Sequence, residues 1–195
     1  MTFRMETLND KKASFTKNLL LEAARELSET TEVCDISFKL VSDHAGISQR
    51  TMFRHFNTRE EFLDTFTTRE YNELDLPEIP DCIDKLSSYV AQVYQKFEEQ
   101  PRRVAVLLSA DLLPRVISTA AKARFETMER LFTEAFPSCA PSEILKTTAN
   151  IRYVTNASSW RYYRKNFNFD LQTSIECAQM IVTQSLNHLK NMNTK

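Results

Sequence analysis

The chain has a single glycine in 195 residues, Gly46. Ordinary proteins carry about 7%, so whole classes of architecture fall away. Phosphate-cradling loops and dinucleotide fingerprints need several glycines for tight turns and close backbone approach. Two-residue hairpins lose their favoured turn residue as well. The chain must turn through Pro, Asn, Asp and Ser, which suits helices joined by short corners. Apolar residues recur at three- and four-residue spacing along most of the sequence, and no segment reads convincingly as a strand.

This periodicity predicts an all-α fold of about nine helices. The first spans 15–29, capped by Ser14, with Phe15, Leu19, Leu20, Ala23, Ala24 and Leu27 on its inner face. The second opens at Ser37, turns Leu40, Val41 and Ala45 inward, and stops at Gly46. Ser48 caps the third, which Met52, Phe53 and Phe56 anchor. A fourth starts at Thr58, where Glu61 three residues on makes a capping box. Phe62 and Phe66 on it face the first three helices. Pro77 and Pro80 disfavour a continuing helix, and they divide a head, residues 1–76, from a body, residues 77–195. The body reads as five helices: 81–99, 102–113, 115–135, 142–165 and 171–190. Pro101 marks a corner, Pro114 either starts a helix or kinks one, and Pro141 suits a first helical position.

Hydrophobic residues at 42% and charged residues at 26% fit a soluble globular protein. No stretch approaches the roughly 18 apolar residues of a membrane span, so no membrane partner is expected. The opening MTFRMETLNDKK lacks the apolar core of an export signal, and the expected location is the cytoplasm. The cysteines Cys34, Cys82, Cys139 and Cys177 form no CxxC pair, and with three histidines a zinc site or other cofactor is not expected. His44, His55 and His188 show no legible grouping with a carboxylate and a nucleophile, so the chain does not read as an enzyme.

Residues 37–56, SFKLVSDHAGISQRTMFRHF, carry the parts of a helix-turn-helix. Glycine supplies the backbone angle of the turn, Ala45 allows close helix approach, and Ile47 and Met52 fill the space beneath. Gln49, Arg50, Thr51, Arg54 and His55 are left for the outward side of the second of the two helices. Gln and Arg hydrogen-bond base edges in the major groove, and Thr meets a base, a thymine methyl or a phosphate. Arg59, in the first turn of the fourth helix, is placed to meet a phosphate. Residues 1–76 hold ten Lys/Arg against fourteen Asp/Glu, a net of −4, which argues against strong nonspecific binding. The window between Asp43 and Glu60 is free of acids, however, and holds Arg50, Arg54 and Arg59 with His44 and His55. Lys11, Lys12 and Lys17 are expected to reach the DNA backbone from an N-terminal arm and the first helix.

Residues 15–66 resemble the N-terminal domain of the TetR family of transcriptional regulators. The matching positions are Ala23 and Ala24, Ala45-Gly46-Ile47-Ser48, Thr51-Met52-Phe53-Arg54-His55-Phe56 and Thr58-Arg59-Glu60-Glu61-Phe62. The resemblance covers about a quarter of the chain. It implies that Phe53 and Arg59 approach phosphates, that Gln49, Arg50 and Thr51 face the groove, and that Ser37 caps the second helix and touches the DNA backbone. Ser37, Lys39, Ser48, Gln49, Arg50, Thr51, Phe53, Arg54, His55 and Arg59 are therefore the candidate DNA-binding residues. Arg50 stands where the family commonly has Gly or Ala, Phe53 replaces a Tyr, and the loop 30–35 lacks the usual glycine.

The resemblance further implies a C-terminal domain for ligand binding and dimerisation, the last two helices pairing across a twofold axis. Wide apolar stripes on those helices agree with an oligomer interface, and Ile144, Ile151, Ile175, Ala178, Ile181, Val182 and Leu186 are its candidates. Candidate ligand-binding residues are Phe97, Arg103, Leu107, Phe125, Met128, Tyr153 and Trp160, with Leu108 as further wall and Arg152 and Arg161 as further cations. The expected function is a homodimeric repressor released from operator DNA by a small-molecule effector. The alternative is a DNA-bound structural or protein-interaction factor without a small ligand.

Overall fold

A computed structural model describes residues 7–193. Residues 1–6, part of the reading against an export signal, lie outside it. The described residues contain eleven α-helices and no strand: α1 (Leu8–Leu27), α2 (Phe38–Ala45), α3 (Gln49–His55), α4 (Arg59–Asn72), α5 (Leu86–Glu99), α6 (Pro101–Leu107), α7 (Leu113–Val116), α8 (Lys122–Ala135), α9 (Pro141–Val154), α10 (Ala157–Asn166) and α11 (Leu171–Asn193). A π-helical turn, Ile117–Ala121, joins α7 to α8 without a break. Ten continuous helices therefore stand where about nine were expected.

The difference from expectation has local causes. The first helix starts seven residues early because Thr7, not Ser14, caps it: Thr7 Oγ1 accepts from Asp10 N at 3.2 Å and Asp10 Oδ2 accepts from Thr7 N at 3.0 Å. Lys11 and Lys12 thus belong to a helix and not to an arm. Phe15 and Leu19, expected inside, are 65% and 40% exposed, and Leu40 is 37% exposed. The expected helix 142–165 breaks at Thr155, and Asn156 caps a new one by accepting from Ser159 N at 2.8 Å. Pro101, Pro114 and Pro141 all sit in first turns, where a missing N–H costs no helical bond. Thr58 caps α4, but Glu61 reaches back to Asn57 N at 3.0 Å, one residue earlier than a capping box requires.

The head is built around Phe62. Its ring meets Phe38 and Phe56 edge-on, with centroids 5.6 and 5.2 Å away, and stacks on Phe66. Leu20, Val41 and Met52, all at 0% exposure, bring α1, α2 and α3 onto this centre. One residue of this cluster comes from far along the chain: Leu112, also fully buried, enters from just before α7.

In the body, α11 packs on α5 and α9, and α8 packs on α9. Tyr94 on α5 is buried and donates its hydroxyl to Val154 O at 2.6 Å. Trp160 Nε1 and Arg164 Nε on α10 both donate to Glu98, at 3.1 and 3.0 Å, and so fasten α10 to α5. No helix among the described residues is long and apolar enough to cross a membrane.

Candidate nucleic-acid interface and ligand cavity

Gly46 closes α2 at φ 65° and ψ 27°, the left-handed region that side-chain-bearing residues enter only at a cost. The turn lets Ile47 N return to Ser42 O at 2.9 Å. Ser48 Oγ then accepts from Thr51 N at 3.2 Å and starts α3. Met52 fixes the inner side of α3, and Phe56 just after it is equally buried. Gln49, Arg50, Phe53 and Arg54 are exposed, as are Lys39 on α2 and the capping serines Ser37 and Ser48. Phe53 is 54% exposed with its edge against Phe38, at 5.2 Å between centroids. The outer side of α3 therefore presents two unpaired arginines, a glutamine and an aromatic ring.

Three head residues sit less openly. Thr51 is half-buried and shares a 2.9 Å hydroxyl bond with Ser48. His55 turns inward: its Nε2 is buried without a partner. Burial, with Arg54 and Lys17 nearby, lowers its pKa below the usual histidine value and favours the neutral ring. Arg59 is engaged with its own chain, donating through Nη1 to Ile36 O at 2.6 Å and through Nη2 to Val33 O at 2.9 Å. It holds the loop before α2 in place, so its guanidinium is not free to meet a phosphate in this conformation. The acid-free window concealed this, because the close acceptors are backbone carbonyls and the one facing carboxylate, Asp111 at 3.9 Å, lies far along the chain.

The body contains a cavity of about 690 Å³, within the range of small-molecule sites. Of the expected wall residues, Phe97, Leu107, Leu108, Phe125 and Tyr153 line it, with Arg152. Met128 and Trp160 do not line it and are packed in the core at 0% and 6% exposure. Arg103 also lies elsewhere: it pairs with the buried Glu70 at 2.9 Å and with Glu73 at 2.5 Å, tying α6 to α4. Arg161 is exposed and does not line the cavity.

Sequence reasoning missed Tyr71, Tyr89 and Arg124, which gather at the cavity. Arg124 Nη2 donates to Tyr89 Oη and to Pro77 O, each at 2.6 Å. The available signal was its position four residues before Met128, on a side of the helix that turns toward the core. The π-helical turn also contributes Ile117 and Ala121 to the wall, and such turns often occur at functional sites.

The apolar dimer candidates are mostly spent within one chain. Ile144, Ile151, Ile175, Ala178 and Val182 are 7% exposed or less, while Ile181 and Leu186 are half-buried against the same core. Periodicity identified the apolar side of each helix correctly but could not say which neighbour covers it. Leu145 and Tyr153 on α9 and Met180 and Met192 on α11, at 49, 67, 57 and 37% exposure, are the large apolar residues left open on these two helices among the described residues.

A helical protein of this layout, with a helix-turn-helix head and a cavity-bearing body, has the fold of the TetR-like transcriptional regulators. Its similarity to NalD, the secondary repressor of the MexAB-OprM multidrug efflux pump in Pseudomonas aeruginosa, has a TM-score of 0.67 at 16% identity, over 89% of this chain and 96% of that one. A transcriptional regulator from Rhodococcus sp. Rha1 follows at 0.62 and 14% identity, over 88% and 96%. A TetR-like regulator from the same source aligns at 0.59 and 11% identity, over 94% and 99%. No family model and no curated protein matches the sequence.

Proposed function

We propose that this chain is a sequence-specific DNA-binding transcriptional regulator, acting as a homodimeric repressor that a small molecule releases from its operator. The observation that carries it is α3 itself: a helix locked from beneath by Met52 and opened by a glycine turn, with Gln49, Arg50 and Arg54 exposed and unpaired. Such a helix fits a major groove, where these side chains meet base edges and phosphates. The solved structures to which it is similar include a repressor and a transcriptional regulator, which supports the same reading.

Two copies joined through the outer sides of α9 and α11, around Leu145 and Met180, would set two heads on half-sites one helical turn apart. The head, residues 1–76, would read DNA, and the body, residues 77–195, would bind the effector and the second copy. The protein would work in the cytoplasm, where its operator lies.

A coupling route between cavity and head runs through α7. Arg115 on α7 pairs with Glu60 and Asp64 in the first turns of α4, and the next residues, Val116 and Ile117, line the cavity. A ligand that prefers one placement of α7 shifts α4, and with it the reading head. The open cavity favours this sensor over a DNA-bound interaction factor, for which a filled body is expected.

Selection of bound sequences from random duplex DNA tests the reading. It should return an inverted repeat, and recovery of no enriched sequence even at low salt would reject it.

A further inference from the structure

Two cationic side chains meet at one wall of the cavity without an acid to balance them. Arg152 Nε is buried and has no hydrogen-bond partner. Its Nη1 has only a long bond to Thr155 Oγ1, at 3.3 Å. Arg124 is satisfied by neutral groups alone, Pro77 O and Tyr89 Oη, and its guanidinium lies 5.7 Å from the Tyr89 ring centre. Among the described residues neither arginine has a carboxylate within ion-pair distance, whereas Arg59, Arg69, Arg103, Arg115 and Arg164 each do. The acids that line the cavity, Glu126 and Glu129, stay apart from both; Glu126 is exposed and faces Lys122 at 4.0 Å.

Burial lowers the pKa of Arg152 below the usual guanidinium value, the tyrosine Tyr89 acts against this and the charge of Arg124 adds to it. A guanidinium does not give up its proton in a protein, so the buried charge persists at a cost. Removing a buried charge's partner is among the more destabilising changes a fold can suffer. The remaining lining is apolar: Phe97, Leu107, Leu108, Val116, Ile117 and Phe125.

Resting on the reading of this cavity as an effector site, we propose that its ligand is an organic anion: an apolar body carrying one carboxylate or comparable acid group that pairs with Arg152 beside Arg124. Such a group supplies the missing acceptor for Nε and takes two parallel bonds from one guanidinium. The apolar body occupies the space between α5, α6 and α8. Tyr89 accepts from Arg124 and so holds that arginine at the cavity wall.

The test uses the full chain and three probes of equal tail length, dodecanoate, dodecanol and dodecyltrimethylammonium, each titrated calorimetrically below its aggregation concentration. Dodecanoate is expected to bind once per chain and at least tenfold more tightly than dodecanol, with the cation weakest. Arg152→Gln should lose at least tenfold for dodecanoate while its affinity for dodecanol stays unchanged, and Arg152→Lys should fall between. Equal binding of dodecanoate and dodecanol by the natural protein would overturn the assignment of an anion while leaving the cavity a ligand site. Binding of none of the three would remove the effector reading and this proposal with it. Should Arg152→Gln not fold, Arg124→Gln is read by the same tenfold criterion, and an unchanged preference for dodecanoate overturns the proposal.

Discussion

Arg103 on α6 donates through Nε to the carboxylate of Glu70 on α4 at 2.9 Å, and Glu70 is only 1% exposed. The pair joins the helix that carries the head to the helix that borders the cavity. Its second carboxylate oxygen, Oε1, is buried without a partner. Removing Arg103 strands a buried charge, so Arg103→Met should destabilise the fold by about 3 kcal/mol. The double variant Arg103→Met with Glu70→Gln should recover most of that loss in urea unfolding.

The same pair has a pH signature. Burial raises the Glu70 pKa above its ordinary 4.5, with Arg103 opposing. The folded protein therefore holds a proton that the unfolded chain has released, and this contribution to stability fades as pH rises through the raised value. Relative to Glu70→Gln, the natural protein should lose stability as pH climbs above 4.5. A flat difference between the two melting curves across that range would contradict this.

Arg59 and Arg50 separate structure from recognition. Arg59→Ala removes bonds to Ile36 O and Val33 O and should cost about 2 kcal/mol in folding. Arg50→Ala leaves folding within about 0.5 kcal/mol, because the side chain is exposed and unpaired. On the selected operator it should weaken binding by about 1–3 kcal/mol if it reads a base. Thermal melts and DNA titrations on the two variants give opposite orders.

Much of the head was legible because its signals are local. Gly46, Ser48 and Thr58 each mark a boundary with a residue whose backbone or hydroxyl chemistry has few other uses there. Thr7 and Asp10 carry the same kind of signal, but they precede a polar turn that apolar periodicity cannot detect. The break at Thr155 was hidden for another reason: neither glycine nor proline marks it, and Asn156 reads equally well inside a helix. Arg59 and the dimer candidates show the limit of residue type as a guide. A cation on a helix and an isoleucine on a stripe declare what they can bind, and only the fold determines which partner reaches them first.

Tyr94 offers a test of the body. Its hydroxyl bond to Val154 O lies in the core between α5 and the end of α9, and Tyr94→Phe leaves that carbonyl without its donor. A loss of about 1–2 kcal/mol is expected in chemical denaturation. The change should not alter DNA affinity measured well below the unfolding transition.

Gly46→Ala isolates a conformational cost. A Cβ built there meets nothing within 4 Å, so the left-handed backbone alone opposes it, by about 1 kcal/mol. A destabilisation near zero in equilibrium unfolding would show that the turn relaxes.

Leu112 has a consequence for how the molecule divides. It is a body residue by position, yet it occupies the head's interior with no exposed surface. A recombinant fragment that ends after α4 would lack this plug and carry a leucine-sized void among Phe62, Phe66 and their neighbours. The reading head is thus not an interchangeable cassette: grafted onto an unrelated body, it would need substitutes for Leu112 and for Val106, which packs against the same cluster, and its own segment encodes neither.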